Sequence, residues 1–590
     1  MDRWVLRGPL LLPEAHVRAE QSLYRQGYRR WVAWRDLGRI KLSLERLQQV
    51  ASQLSTDSVL LAVSALGIMV YHRSPEEQKL KNQLSAVKLF LSPETWQSIT
   101  RLFESRRYQV VFHEEELLIA ARLALTHGRP AGGMAWDVDR GTELLLGIND
   151  VLSFERELPT RVPLAVSLRR LGLFQGEATR YSLGRYYDLL VKRARSLQGL
   201  AGAIDLDGEF MDETGLTMEQ FLAAGLLFHL PFSSKPPPDV PLHLAFIDTI
   251  DRFVAAGANA TAVMRAMPLY VGDREWYARS FGDLDDADKP ERSSFLPFQE
   301  RPLYRLENGS TIPISMAYLS ERMVQGIYWI LHERWRRQDP RDGVSRLRTF
   351  LGHLFQGYIS DLLTRVYRSG PQPETMLWTE SDLPRYGPKK QRRDPPDILV
   401  VQGRDLLVFE VNVATVPAAV RTGADVERFA QTTIREFRRK LAQVNSYATD
   451  VLEGKLAVPG LALCEVRRIF PLLVLLSPFP QTPAIFAHLG QGNAPRPQSV
   501  STGHGRVEIY PPQLITAEEL EILEPIMSAG QMRLGDLFVR KLADHDAAYQ
   551  SVKNFLYLQP GFRETDNTAM QRLYQKVTDV SLRTLRFTDD

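Results

Sequence analysis

A single glutamate set inside an apolar strand constrains this chain more than any other residue. The run Leu406-Leu-Val-Phe-Glu-Val-Asn412 is aliphatic and aromatic up to Glu410, and runs of this kind form strands covered on both faces. A carboxylate between Phe409 and Val411 is costly to bury unless it is paired or holds a cation. A second apolar run, Asp397-Ile-Leu-Val-Val401, precedes it, and Gln402-Gly-Arg-Asp405 joins the two. Two short β-type runs around a glycine-containing turn predict a hairpin. Antiparallel pairing brings Asp397, which begins one strand, and Glu410, near the end of the other, towards one end of the sheet. Two converging carboxylates suit a hard cation such as Mg2+. The alternative is a Glu410 that faces solvent or pairs with an arginine of the following helix.

The segments around the hairpin fit one sheet. Leu347 to Tyr367 reads as an amphipathic helix, Thr375 to Thr379 as a strand, and Pro384 to Asp394 as a polar, basic loop. After the hairpin, a long helix over roughly Asp425 to Leu452 ends before Gly454, and Ile469 to Leu476 is a buried strand. The order helix, strand, hairpin, helix, strand predicts a mixed α/β architecture with a sheet flanked by helices. The longest apolar stretch, from Ile469 to Pro480, falls short of the ~20 residues that span a bilayer, so no membrane association is expected.

Pro396-Asp397, separated by twelve residues from Glu410-Val411-Asn412, resembles the Pro-Asp…Glu-X-Lys signature of the PD-(D/E)XK nuclease superfamily. The order of elements over about residues 346–480 is similar to that family's common core. The resemblance implies a restriction-endonuclease-like core and Mg2+ or Mn2+ held by Asp397 and Glu410. It also implies hydrolysis of nucleic acid, DNA before RNA, by an endonuclease or exonuclease in restriction, repair or defence. Gln443-Val-Asn-Ser-Tyr447 resembles the Gln-X-X-X-Tyr element of the exonuclease-like branches, which makes Gln443 and Tyr447 accessory site residues. Gly352-His-Leu-Phe-Gln-Gly-Tyr358 follows the Gly-X-X-Phe-Glu-X-Tyr context of the first helix but puts Gln356 at its acidic position. Asn412 stands where the family's catalytic lysine belongs. The implied catalytic set is therefore Asp397, Glu410, Asn412 and Gln356, with two of four signature positions altered.

Two readings follow from those departures. In one, a displaced cation replaces the missing lysine, drawn from Lys440, Arg438 or Arg439 on the helix or Lys389 and Lys390 in the loop. In the other, catalysis is lost, and the fold survives as a subunit that binds nucleic acid or a protein partner through its helical regions. Lys389, Lys390, Arg392 and Arg393 before the hairpin, with Arg438, Arg439 and Lys440 after it, are the expected phosphate contacts.

The rest of the chain carries ordinary globular signals. At 590 residues, several units are expected: a mainly helical 1–150, a helix-rich 151–345, the nuclease-like 346–480 and an α/β extension over 481–590. A formal charge of +3 does not by itself announce nucleic-acid binding. The lone Cys464 excludes an intramolecular disulfide and cysteine-rich zinc sites, which suits a reducing cytoplasm, and no targeting signal is visible. The run Tyr24 to Arg35 interleaves bases with aromatics, as a nucleic-acid contact or as a helix with its rings in the core. Amphipathic helices are expected over Leu42 to Leu66 and Glu114 to Thr126, the latter opening on acids that suit a helix N-terminus. Capping boxes are read at Thr217 to Gln220 and Thr516 to Glu519, and the helix from Ser315 ends on Arg334, Arg336 and Arg337. No nucleophile triad, phosphate-binding glycine loop or zinc spacing is present.

Overall fold

Apolar runs in the first half of the chain cannot cover themselves, and they form helices that pack on one another. The computed structural model describes residues 4–7, 10–13, 32–71, 76–104, 110–130, 133–152, 180–198, 202–233, 258–282, 295–368, 375–388, 392–414, 429–479, 481, 485–486, 489, 496–503, 505–544 and 547–586. Lys389, Lys390 and most of the aromatic-basic run from Tyr24 lie outside them. The stretch expected as one helix from Leu42 to Leu66 is two, α1 (Leu44–Ala51) and α2 (Thr56–Tyr71). The break lets the Thr56 hydroxyl reach the carbonyls of Ala124 and Arg129, at 3.0 and 3.1 Å. From Thr56 to Ile68, α2 is buried on every face, so it shows no amphipathic pattern. The acids opening α3 (Glu114–His127) are buried too. His113 caps this helix by accepting from the Glu116 amide, Asn149 donates to Glu116 Oε2 at 3.2 Å, and Ser315 donates to Glu114.

Helix α4 (Arg180–Tyr187) and helix α5 (Met218–Ser233) follow, the second opened by the expected reciprocal bonds of Thr217 and Gln220, at 2.9 and 3.0 Å. Helix α6 (Met316–Gln338), with Ser315 at its N-cap, packs against α7 (Gly343–Arg368). Helix α7 leads into the sheet.

Strands β1 (Thr375–Thr379), β2 (Ile398–Gln402) and β3 (Asp405–Asn412) form an antiparallel meander. The β2–β3 register, from Ile398 opposite Phe409 to Gln402 opposite Asp405, leaves Gly403 and Arg404 as a two-residue turn. Gly403 has φ 60°, a left-handed conformation that glycine adopts without strain. The chain then crosses through α8 (Arg435–Leu452) to β4 (Arg468–Leu475), which pairs parallel with β3 along its whole length. A bidentate ion pair at the first register position fixes this parallel alignment. Arg468 donates to both oxygens of buried Asp405, at 2.6 and 2.7 Å, and a further bond at 2.8 Å reaches Asp536. Strands β5 (Gln498–Thr502), β6 (Gly505–Ile509) and β7 (Gln513–Thr516) complete a seven-stranded mixed sheet, in which β6 and β7 both pair parallel with β4.

Alternation along the strands divides the two faces. Val400, Leu407, Phe409, Leu472 and Val474 share a core with Leu347, Leu351, Leu354 and Phe355 of α7. On the other face, Leu399, Val401, Leu406 and Val408 pack with Val444, Tyr447 and Val451 of α8. Glu410, in step with Leu406 and Val408, therefore faces α8. The α7-side core is continuous from Val32 to Val577, so the helical half and the sheet share one apolar interior. Among the described residues no helix is long and apolar enough to cross a membrane.

Helix α9 (Ala517–Ser528) opens with the expected Thr516 and Glu519 box and carries four buried glutamates. Each has a partner. Glu518 accepts from Lys553, and Glu519 from the Lys553 amide. Glu521 accepts from Arg185 of α4 at 2.8 Å and from Tyr358 of α7 at 2.6 Å. Glu524 accepts from Arg365 and from Asn567, the residue that precedes α10 (Thr568–Arg586). These bonds tie the helical half to the sheet. Arg185 and Glu521 are both almost fully buried, so Arg185→Met, which leaves an unpaired buried carboxylate, is expected to cost about 3–5 kcal/mol in urea unfolding. Arg365→Met, at a half-exposed guanidinium, is expected to cost about 1 kcal/mol or less. Equal losses would show that burial does not govern these pairs.

Candidate functional site

Register alone aligns three acids across three neighbouring strands. Thr379 pairs with Ile398 and Ile398 with Phe409, so continuing each ladder by one residue sets Glu380 opposite Asp397 and Asp397 opposite Glu410. The Glu380 amide donates to the Asp397 carbonyl at 2.9 Å, which extends the β1–β2 ladder to this row. Like charges directly opposite one another on a sheet oppose folding, so the row is not there for stability.

Side chains from both flanking helices converge on these carboxylates. Gln356 of α7 donates its Nε2 to Glu380 Oε2 at 2.7 Å and to Asp397 Oδ1 at 2.9 Å, and the Val411 amide donates to Asp397 Oδ2 at 2.6 Å. From α8, Lys440 Nζ donates to Glu410 Oε1 at 2.6 Å and Gln443 Nε2 to the same oxygen at 3.1 Å. Gln443 also donates to the Tyr447 hydroxyl at 2.7 Å. The spacing 440, 443, 447 puts these residues on one helix face, turned to the sheet. Gln356, Asp397, Glu410, Lys440, Gln443 and Tyr447 are thus brought into one bonded cluster. Glu380 belongs to it as well; its only sequence signal is its place one residue beyond a strand, which becomes visible when the register is counted across the ends.

Asn412 does not join that cluster. Its Oδ1 accepts from the Ala414 amide at 2.7 Å, closing the strand end, and its buried Nδ2 has no partner among the described residues. The ammonium beside Glu410 comes instead from the helix. Arg392, Arg438 and Arg439 are exposed, as phosphate contacts need to be. Arg393 is engaged within the chain instead, where it donates to Asp450 at 2.6 Å and Ser446 at 2.7 Å and lies over the rings of Tyr386 and Tyr447. Tyr386 donates to the same Asp450 oxygen at 2.7 Å, so Arg393 clips the basic loop to α8.

One ammonium facing three acids leaves the site short of positive charge. Burial first, and then the charge of Glu410, pushes the Asp397 carboxyl up to about 8, against the pull of the Val411 amide. Glu410 is raised by burial too, with Lys440 opposing. A divalent cation fits this imbalance, since it would favour both ionised carboxylates at once. Among the described residues no three His, Cys, Asp or Glu side chains form a ready cage, so amide, main-chain and water oxygens would have to complete its shell. No family model, curated protein or solved structure matches the chain.

The raised carboxyl has a consequence for stability. In the metal-free fold Asp397 keeps its proton up to about pH 8, whereas an unfolded aspartate releases it near pH 3.9. The folded state therefore binds more protons over that window, and this group's contribution to stability falls as pH rises through it. With chelator present, the urea midpoint is expected to fall between about pH 5 and pH 8, and Asp397→Asn to gain roughly 2–5 kcal/mol on the wild type at pH 8. A wild-type stability that is flat or rising over the same range would contradict the assigned charge state.

Proposed function

We propose that the chain is a metal-dependent phosphodiesterase of the PD-(D/E)XK type that acts on nucleic acid at Asp397 and Glu410. The observation that carries this reading is the row Glu380, Asp397, Glu410, buried at a sheet edge and met by a single ammonium. A helix, a three-strand antiparallel meander, a crossover helix and a parallel fourth strand support the fold half of the reading, because the resemblance implies that order. The site lies at the carboxyl ends of the parallel strands β3 and β4, where sheets of this kind bind ligands.

Asp397 and Glu410 would hold the cation, with Glu380 beside them. When bound, Mg2+ or Mn2+ supplies a polarised phosphoryl oxygen and a water acidic enough to be hydroxide near neutral pH. The chain's own residues do the rest. Gln356 holds Asp397 and Glu380 in place through its two bonds, and Gln443 fixes Glu410 against Tyr447. Lys440 brings positive charge to the side of Glu410 facing α8, where it offsets charge building on the phosphate. The lysine missing at Asn412 would otherwise perform this role. Exposed Arg438 and Arg439 extend the positive face along α8 towards the backbone of the bound strand.

Asp397→Ala and Glu410→Ala are expected to abolish Mg2+- or Mn2+-dependent cleavage across a panel of DNA and RNA substrates. Lys440→Ala is expected to lower the rate by about 10²- to 10³-fold, the size of one lost electrostatic donor. Adding Asn412→Lys to Lys440→Ala should restore part of that loss, because it returns an ammonium to the same end of the sheet. Absence of cleavage on every substrate with either metal overturns the proposal, and favours a nuclease-like fold kept for binding.

A further inference from the structure

A second feature sits at the same strand ends, on the face turned to α7. Beyond Asn412 and Leu475 the chain leaves β3 and β4, with the Leu476 amide donating to the Asn412 carbonyl at 3.3 Å. Val413 and Leu476 form one wall of an open pocket of about 430 Å³. Tyr186, Leu189, Tyr328 and Arg348 contribute to its other walls. The lining is apolar and aromatic except for Arg348, which is exposed, acts on the Tyr328 side chain and enters no ion pair among the described residues. The Tyr186 hydroxyl is 3.3 Å from Ser477 Oγ, which ties this wall to the end of β4.

The aromatic lining continues past the pocket. Tyr328, Trp329 and His332 of α6 are half-buried and pack in edge or tilted contacts, with centroids 4.8 to 5.8 Å apart. Half-buried rings beside a cation are what successive unpaired bases stack on, and the preference is independent of sequence. Asn412, at the carboxylate site, and Val413, in the pocket wall, are consecutive residues on opposite faces of one strand end. A polynucleotide crossing that edge would reach both.

We propose that this pocket receives an unpaired nucleobase next to the scissile phosphodiester, stacked on Tyr328, with Arg348 on the adjoining phosphate. The substrate is then single-stranded where it crosses the sheet edge. The assignment rests on the reading of Asp397 and Glu410 as the hydrolytic site. A duplex keeps its bases stacked inside and offers none to the pocket.

The test is fluorescence anisotropy of a short labelled oligonucleotide, single-stranded or annealed to its complement, with the full chain and chelator present so that binding is read without cleavage. The single strand is expected to bind more tightly than the duplex, and Tyr328→Ala to weaken it about ten- to a hundredfold. Tyr328→Phe, which keeps the ring and the packing, should bind like the wild type. Arg348→Gln should weaken binding and reduce its salt dependence by about one phosphate contact. Equal affinity of wild type and Tyr328→Ala overturns the proposal, as does a duplex bound as tightly as the single strand. A short aliphatic carboxylate whose binding needs Tyr328, with oligonucleotide binding unchanged, overturns it in favour of a small apolar acid. Tyr328-dependent binding without metal-dependent cleavage sustains the pocket and removes the hydrolytic reading. Cleavage with binding indifferent to Tyr328 does the reverse.

Discussion

Three carboxylates share one row across neighbouring strands, and one ammonium answers them. That imbalance organises the region around it. Gln356 spans Glu380 and Asp397 from one side of the sheet, while Lys440 and Gln443 hold Glu410 from the other. Helices α7 and α8 are thereby fixed to the same sheet edge by polar bonds as well as by their apolar faces. An arrangement so costly in charge is better explained by a ligand that removes the cost than by a contribution to folding.

The frame that keeps this row in place is built from ordinary forces used at particular points. The bidentate pair of Asp405 and Arg468 sets the parallel register, and the Gly403 turn sets the antiparallel one. A slip of one residue in either would send Glu410 to the α7 face, away from Lys440. Farther off, Glu521 and Glu524 bind Arg185, Tyr358 and Arg365, so the helical half and α7 move as one packed body with the sheet. The position of Gln356 thus depends on contacts made well outside the site.

Much of this was legible from the residues. The hairpin, the order of elements after 346 and the two capping boxes follow from apolar alternation and turn chemistry, which are local. The convergence of Asp397 and Glu410 was legible because a two-residue turn leaves little freedom in register. Glu380 was not, because its placement depends on a second register across a loop of more than a dozen residues. The buried acids of α3 and α9 also escaped, since their partners Ser315, Arg185 and Lys553 are remote in sequence and a helix rich in glutamate reads as solvated. Arg393 looked like a phosphate contact for the same reason: its partner Asp450 lies a whole element away.

If the row is a divalent-cation site, its charge imbalance is the signature of that ligand. The decisive experiment is calorimetric titration of Mn2+ into the full chain above pH 8, where the Asp397 carboxyl has released its proton, beside the Asp397→Asn variant. A saturable site in the wild type that is lost in the variant is the expected outcome. An isotherm without binding, or binding that Asp397→Asn leaves unchanged, would refute the assignment of a cation to these carboxylates.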